Sequence, residues 1–240
     1  GRGVISDVIA AFEWAIANRT AHNIRVINLS VGARITQSYY TDPLTLAAKR
    51  ATDAGIVVVT AAGNLGKKSN GRAQYGSITA PGNAPWVPTV GASSTEGTAV
   101  RWDDVVAGYS SRGPSAIDYE AKPDLVAPGT GMVSLADPTS DFYRTKTAYL
   151  LKGTRNPGYK PYLSLSGRSM ASPVVAGTVA LMIQANPKLT GITTFYRPTV
   201  PQLRVEVDRE KALALGVPVS DVFAALQAQM GSLYVNDFNK

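Results

Sequence analysis

The 240-residue chain is predicted to fold as an α/β protein, a largely parallel sheet with helices on both faces. Three observations predict it. Helix and strand patterns alternate through the first sixty residues with short connections. Residues 56–62 are nearly all apolar, the pattern of a strand buried on both faces. Residues 164–182 run from a short apolar strand through Gly167 into a long helix that starts at or next to Ser169.

Residues 4–18 place Val4, Val8, Ala11, Phe12, Ala15 and Ile16 at helical spacing, with Ser6 or Asp7 near the start. A strand follows over 25–31, carrying Val26, Ile27 and Leu29. Asp42-Pro43 opens a second helix that ends near Gly55, and the strand 56–62 comes next. Residues 64–84, rich in Gly, Ser and Asn, read as a loop. Short strands are predicted at 86–93, 105–110, 125–127, 132–135 and 162–165. Residues 137–160 read as irregular, with turn signals at Asp137-Pro138 and Asn156-Pro157-Gly158. The helix from Ser169 runs to about Asn186, where Pro187 stops it. After Thr190 the character changes. Leu203, Val205 and Val207 alternate as a strand, and Asp208 and Ser220 look like the N-caps of two short helices ending at Gly216 and Gly231.

Composition narrows the function. There are 24 Lys+Arg against 17 Asp+Glu, a net charge of +7, and the excess falls within residues 1–190. The basic residues are scattered, with no stripe and no interleaved aromatics, so a solvated surface is expected rather than a nucleic-acid partner. The absence of cysteine excludes disulfides and thiolate metal sites. The longest apolar run, 174–183, is shorter than the roughly 20 residues a membrane span needs. No signal peptide is visible, but Gly1 is not a natural start and the N-terminus looks cut, so nothing follows from that absence.

Functional groups of α/β sheets collect at the carboxyl ends of the strands. Ser30, Asn64 and Ser169 all follow predicted strands, and parallel strands would bring them to one edge. Ser169 at a helix start has its hydroxyl on a sharp turn, beside N–H groups that have no intrahelical partner. The amide of Asn64 could donate to an oxyanion formed when Ser169 attacks a carbonyl. Taken alone, Ser169 reads as an N-cap and Asn64 as a turn residue. A base is the missing part. The one histidine, His22, precedes the strand that ends at Ser30, which puts it on the opposite edge and out of hydrogen-bond reach.

Residues 1–190 resemble the C-terminal two-thirds of a subtilisin-type serine peptidase domain. The resemblance is carried by Glu13-Trp14-Ala15-Ile16-Ala17-Asn18, Val26-Ile27-Asn28-Leu29-Ser30-Val31-Gly32, Ala61-Ala62-Gly63-Asn64 and Val90-Gly91-Ala92. It continues through Tyr109-Ser110-Ser111-Arg112-Gly113-Pro114, Lys122-Pro123-Asp124-Leu125-Val126-Ala127-Pro128-Gly129 and the block around Ser169. It implies a three-layer fold, a secreted or periplasmic location and a polypeptide substrate. It also implies Ser169 as nucleophile and Asn64 as oxyanion donor. Substrate would lie as an added strand against Gly1-Arg2-Gly3 and Ser30-Val31-Gly32, with Ala61-Ala62-Gly63 walling the primary specificity pocket. Ala80-Pro81-Gly82 resembles a turn that is often cis in the family. No cofactor is implied; the family often binds structural calcium, but no site is assignable to residues of this sequence.

Three departures stand beside the resemblance. The family's triad runs Asp, His, Ser, so segments carrying Asp and His would precede Gly1, and the chain as written is expected to be inactive. Arg168 stands where the family typically has threonine. Residues 191–240 resemble instead a periplasmic piece of a resistance–nodulation–division efflux transporter, through 201–212, 214–218 and 231–239. The chain therefore reads as a partial peptidase domain over 1–190 joined to a βαα fragment over 191–240. Two other readings stay open: a non-catalytic chimeric or peptide-binding fragment, and a transporter-associated module.

Overall fold

The computed structural model describes residues 3–154 and 158–186. The transporter-like stretch 191–240, its strand and its two helices lie outside the described residues, as do Gly1 and Arg2.

The first helix, α1 (Ile5–Asn18), buries Phe12 and Ala15. Neither Ser6 nor Asp7 caps it; the N-cap is Val4, and Asp7 sits in the first turn, where its charge favours the helix dipole. The strand β1 (Val26–Leu29) leads to α2 (Pro43–Asp53). Asp42 caps α2, accepting from the N–H groups of Leu44 at 2.8 Å and Thr45 at 3.0 Å. Pro43, with no N–H to satisfy, stands at the first helical position. Strand β2 (Val57–Ala61) is buried along its whole length, as the apolar run predicts.

Strand β2 pairs in parallel with β1 and with β3 (Thr89–Ser94), and β5 (Leu125–Pro128) pairs in parallel with β3. Leu29 stands opposite Thr60, so Ser30 and Ala61 leave the sheet side by side. The remaining strand, β4 (Val105–Val106), is antiparallel to the end of β3. Carbonyls on β3 alternate in direction. Val90 accepts from Ala62 N–H and Ala92 from Ala107 N–H, so β4 continues the edge that β2 vacates. Residues 107–110, expected as the rest of that strand, form a turn instead.

The odd and even residues of β2 face different layers. Val58 joins Phe12, Leu44, Ala47, Ala48, Ala51 and Ile56 in the core under α1 and α2. Val57 and Val59 join Val90, Ala92, Ala127, Ala171, Ala176 and Ile183 under α4 (Arg168–Ala185) on the other face. This is the predicted three-layer arrangement. Small residues let α4 lie close: a Cβ on Gly129 would stand 3.2 Å from Ala171 Cβ and 2.9 Å from Gly167 O.

The structure corrects one expectation that bears on the site. The strand leading to Ser169, β8 (Tyr162–Leu165), does not belong to the parallel sheet. It runs antiparallel between β6 (Met132–Leu135) and β7 (Leu150–Leu151) in a separate three-stranded sheet. Ser169 reaches the edge where Ser30 lies because Gly167 N–H donates to Gly129 O at 2.8 Å, tying the start of α4 to the end of β5. The stretch 137–160 also holds more structure than expected: a one-turn helix α3 (Asp141–Thr145), capped by Ser140, precedes β7.

Candidate active site

Four segments meet at the carboxyl ends of β1 and β2. Ala33 and Ala80 exchange backbone hydrogen bonds at 2.9 Å in both directions, and Thr79 N–H donates to Ala62 O at 3.1 Å. The turn 79–81, whose Ala80–Pro81 bond is cis as the resemblance implies, is thereby sewn to both strand ends. The fourth segment is the start of α4.

Gly167 enters α4 at φ 155° and ψ 162°, a conformation that glycine alone adopts readily. The turn it makes carries Ser169 onto the second position of the helix. Pro173 then has a local consequence. It has no N–H, so the Ser169 carbonyl four residues back loses its intrahelical donor. The Ser30 hydroxyl supplies the bond instead, at 3.1 Å. With its one proton spent there, Ser30 Oγ accepts from Asn28 Nδ2 at 2.9 Å and from Ser172 Oγ at 2.8 Å. Ser169 Oγ in turn donates to Ser30 O at 2.9 Å. Ser30 and Ser169 thus hold each other through reciprocal hydroxyl–carbonyl bonds.

A cavity of about 190 Å³ opens here, lined by Ser30, Val31, Gly32, Ala61, Gly63, Asn64, Thr79, Arg168 and Ser169. It gathers seven of the expected site residues, brings in Arg168, noted in the sequence for its departure from the family pattern, and adds Thr79. Ala62 is not among them: it is fully buried, with its N–H on Val90 O and its carbonyl on Thr79 N–H. Gly3 is exposed, and a Cβ there would meet nothing within 4 Å.

Thr79 was missed because its role is non-local. A Cβ on Gly63 would stand 2.6 Å from Thr79 Cγ2, and one on Gly32 would collide with Thr79 Oγ1. Thr79 therefore occupies space that two glycines leave, and its buried Oγ1 has no hydrogen-bond partner. The signal in sequence would have been the two glycines, Gly32 and Gly63, that close strand ends facing the same gap.

Asn64 follows Gly63, which is at φ 99°. Its Oδ1 accepts from the Arg168 backbone N–H at 3.3 Å and from Arg168 Nη2 at 3.2 Å. Arg168 is fully buried and also donates from Nη2 to Tyr109 O at 3.3 Å. Burial pushes its guanidinium down to about 9, well below its ordinary value, against a smaller upward pull from Tyr109. The arrangement offers a hydroxyl, a carboxamide and a helix N-terminus to one group in the cavity, the nucleophile and oxyanion donors of an acyl-transfer centre without its base.

His22 is far from this chemistry. It is exposed before β1, and its ring stacks on Trp14 with centroids 5.6 Å apart. Among the described residues no three His, Cys, Asp or Glu side chains converge on one point. No described helix is long and apolar enough to cross a membrane.

The pattern of the Subtilase family matches residues 1–203, and that of the AcrB/AcrD/AcrF family matches residues 174–240. Serine protease AprX of Bacillus subtilis is 40% identical over 195 residues, covering 79% of this chain and 41% of that protein. Subtilisin BL of Lederbergia lenta is 30% identical over 192 residues, covering 80% of this chain and 52% of that protein. The chain thus spans about half or less of the length of these relatives. Among solved structures, Sphericase superposes with a TM-score of 0.59 at 25% identity, covering 80% of this chain and 54% of its own. The S41 psychrophilic protease gives 0.58 at 28%, covering 80% and 53%.

Proposed function

This chain belongs to the subtilase family, and from that premise we propose that the whole protein is a serine endopeptidase acting on polypeptides through Ser169. The observation that carries the reading is the convergence of Ser169, Asn64 and the Ser30–Gly32 and Ala61–Gly63 segments on one cavity. Ser169 Oγ attacks the scissile carbonyl carbon. A C–O bond forms, the carbonyl π pair moves onto oxygen, and the hydroxyl proton passes to a general base. Asn64 Nδ2 and the Ser169 N–H donate to the new oxyanion. Collapse expels the amine, which takes the proton back, and water then hydrolyses the acyl-enzyme. Substrate lies as a strand beside Ser30-Val31-Gly32, where Val31 is 54% exposed. Gly1-Arg2-Gly3 is proposed for the opposite side, and Ala61-Ala62-Gly63 for the pocket wall, with Ala61 and Gly63 lining the cavity and Ala62 buried behind them. An extracytoplasmic location, secreted or periplasmic, goes with this reading, and the reaction calls for no cofactor.

The test is labelling of the full-length protein by a fluorophosphonate. Modification of Ser169, lost in Ser169→Ala, is expected. A folded full-length protein that resists labelling overturns the assignment. Asn64→Ala should lower turnover by ~10²–10³, the loss known for one such donor in a subtilisin.

A second reading has its own observation, the AcrB/AcrD/AcrF match over 174–240. In it, residues 1–190 and 191–240 form a non-catalytic chimera. His22 cannot serve Ser169, so these 240 residues alone are proposed to be inactive. Triad-less subtilases retain only ~10³–10⁴-fold catalysis over water. Turnover of a chromogenic peptide by the 240-residue chain at the full-length rate would sink this reading. Co-purification with efflux components would favour a transporter-associated module instead.

A further inference from the structure

Arg168 is the largest fully buried side chain of the described residues, at 0% exposure, and it lies one residue before the nucleophile. No carboxylate among the described residues pairs with it. Its Nε and Nη1 have no hydrogen-bond partner, while its Nη2 is shared between Asn64 Oδ1 and Tyr109 O. A lone buried guanidinium is costly, and desolvation already drives its pKa down to about 9. By its resemblance to the family this position would carry threonine; here it carries a charge.

What the charge does follows from donor and acceptor chemistry. A guanidinium and a backbone N–H can only donate. Both Arg168 groups reach the same atom of Asn64, so that atom must be the carbonyl oxygen Oδ1. The NH₂ of the carboxamide is thereby directed to the other side. A threonine hydroxyl, able to donate or accept, could not dictate that orientation. Gly167 lies beside the carboxamide: a Cβ there would stand in ordinary contact with it, 3.7 Å from Nδ2 and 3.8 Å from Oδ1.

We propose that Arg168 is the positioning residue of the oxyanion site, pinning Asn64 Oδ1 from two donors so that Nδ2 faces the carbonyl oxygen attacked by Ser169, with its unpaired positive charge favouring the anionic intermediate. This rests on the reading of Ser169 and Asn64 given above. In a water-poor site such a charge acts more strongly on the developing oxyanion than on the neutral carbonyl, so its effect falls on kcat rather than KM.

The test is a double-mutant cycle in the full-length protein on a chromogenic peptide, with fluorophosphonate labelling of Ser169 run in parallel. Arg168→Met is expected to lower kcat by tenfold or more with KM within about twofold. Arg168→Lys, which keeps the charge on a donor, should recover part of the loss. In the Asn64→Ala background the same Arg168→Met change should cost less than about threefold, because the amide it positions is gone. A purely structural role would cost the same in both backgrounds, and that result, or no loss of kcat, overturns the proposal. Should Arg168→Met fail to fold, Arg168→Thr is read by the same criteria. Failure of the unmutated, folded protein to label at Ser169 overturns both the underlying assignment and this inference, whereas normal labelling with an additive cycle removes the inference alone.

Discussion

The Ser30 hydroxyl donates to the Ser169 carbonyl at 3.1 Å, and it does so because Pro173 has withdrawn the helix's own donor. The end of β1 is thus locked to the first turn of α4 by a bond the helix would otherwise make itself.

Ser30→Ala is therefore expected to destabilise the fold by about 1–2 kcal/mol, since it strands a part-buried carbonyl. Pro173→Ala restores an N–H at the fourth residue on. In that background the Ser30→Ala cost should fall by about 1 kcal/mol. Urea unfolding of the four proteins of the cycle measures this, and strict additivity would mean that Ser30 does not stand in for the missing donor.

Arg168→Met should stabilise the protein even as it impairs the proposed chemistry. Burial lowers the folded-state pKa of Arg168 to about 9, well below its ordinary value. Below about pH 9 the folded state holds a charged guanidinium that the unfolded chain would leave in water, so the penalty is fully present. Above about pH 9 the folded state releases a proton that the unfolded state keeps, and the penalty fades as pH rises. Arg168→Met is expected to gain about 1–4 kcal/mol at pH 7, with a smaller gain at pH 10.5. Thermal melts of both proteins at the two pH values check it. A gain that grows with pH would contradict the sign.

Thr79 fills the gap between Gly32 and Gly63. Thr79→Val keeps that volume and removes an unpartnered buried hydroxyl, so stability should rise by up to about 1 kcal/mol. Thr79→Gly empties the gap. In the full-length protein it should raise kcat/KM for large aromatic side chains relative to alanine by about tenfold. An unchanged ratio across a panel of peptide substrates would show that the gap does not receive the substrate side chain.

Lys122 Nζ lies 2.7 Å from Asp124 Oδ2 and 2.9 Å from Val87 O, with its side chain 3% exposed. Asp124 Oδ2 also accepts from Thr89 N–H at 2.7 Å, joining the entrance to β5 to the start of β3. Lys122→Met is expected to cost about 3–5 kcal/mol, because it leaves a part-buried carboxylate without its cation. Guanidinium unfolding reads this directly, and a cost below about 1 kcal/mol would assign the pair no structural role.

The elements themselves were legible because their signals are local. Helical spacing in α1, the Asp42-Pro43 start of α2 and the apolar run of β2 each lie within a dozen residues, and the structure differs from those expectations by one or two residues at the ends. The short strand before Ser169 pairs in the antiparallel sheet, not in the parallel one that its sequence suggests. Four residues of alternating character say that a strand exists, but not which edge it pairs with. The irregular stretch 137–160 hid α3 for a similar reason: one turn held by a Ser140 cap and local bonds leaves no periodicity to read.

By itself the sequence determined the layer order, the family and the residues Ser30, Asn64 and Ser169, because periodicity and contiguous motifs are properties of neighbours along the chain. Only the tertiary structure decided what surrounds them. The placement of Thr79 between two glycines, the turning of Ala62 away from the cavity and the buried path of Arg168 to Asn64 each depend on segments 16 to 104 residues apart. Contacts of that kind are set by how layers pack, and no pattern within a single segment encodes them.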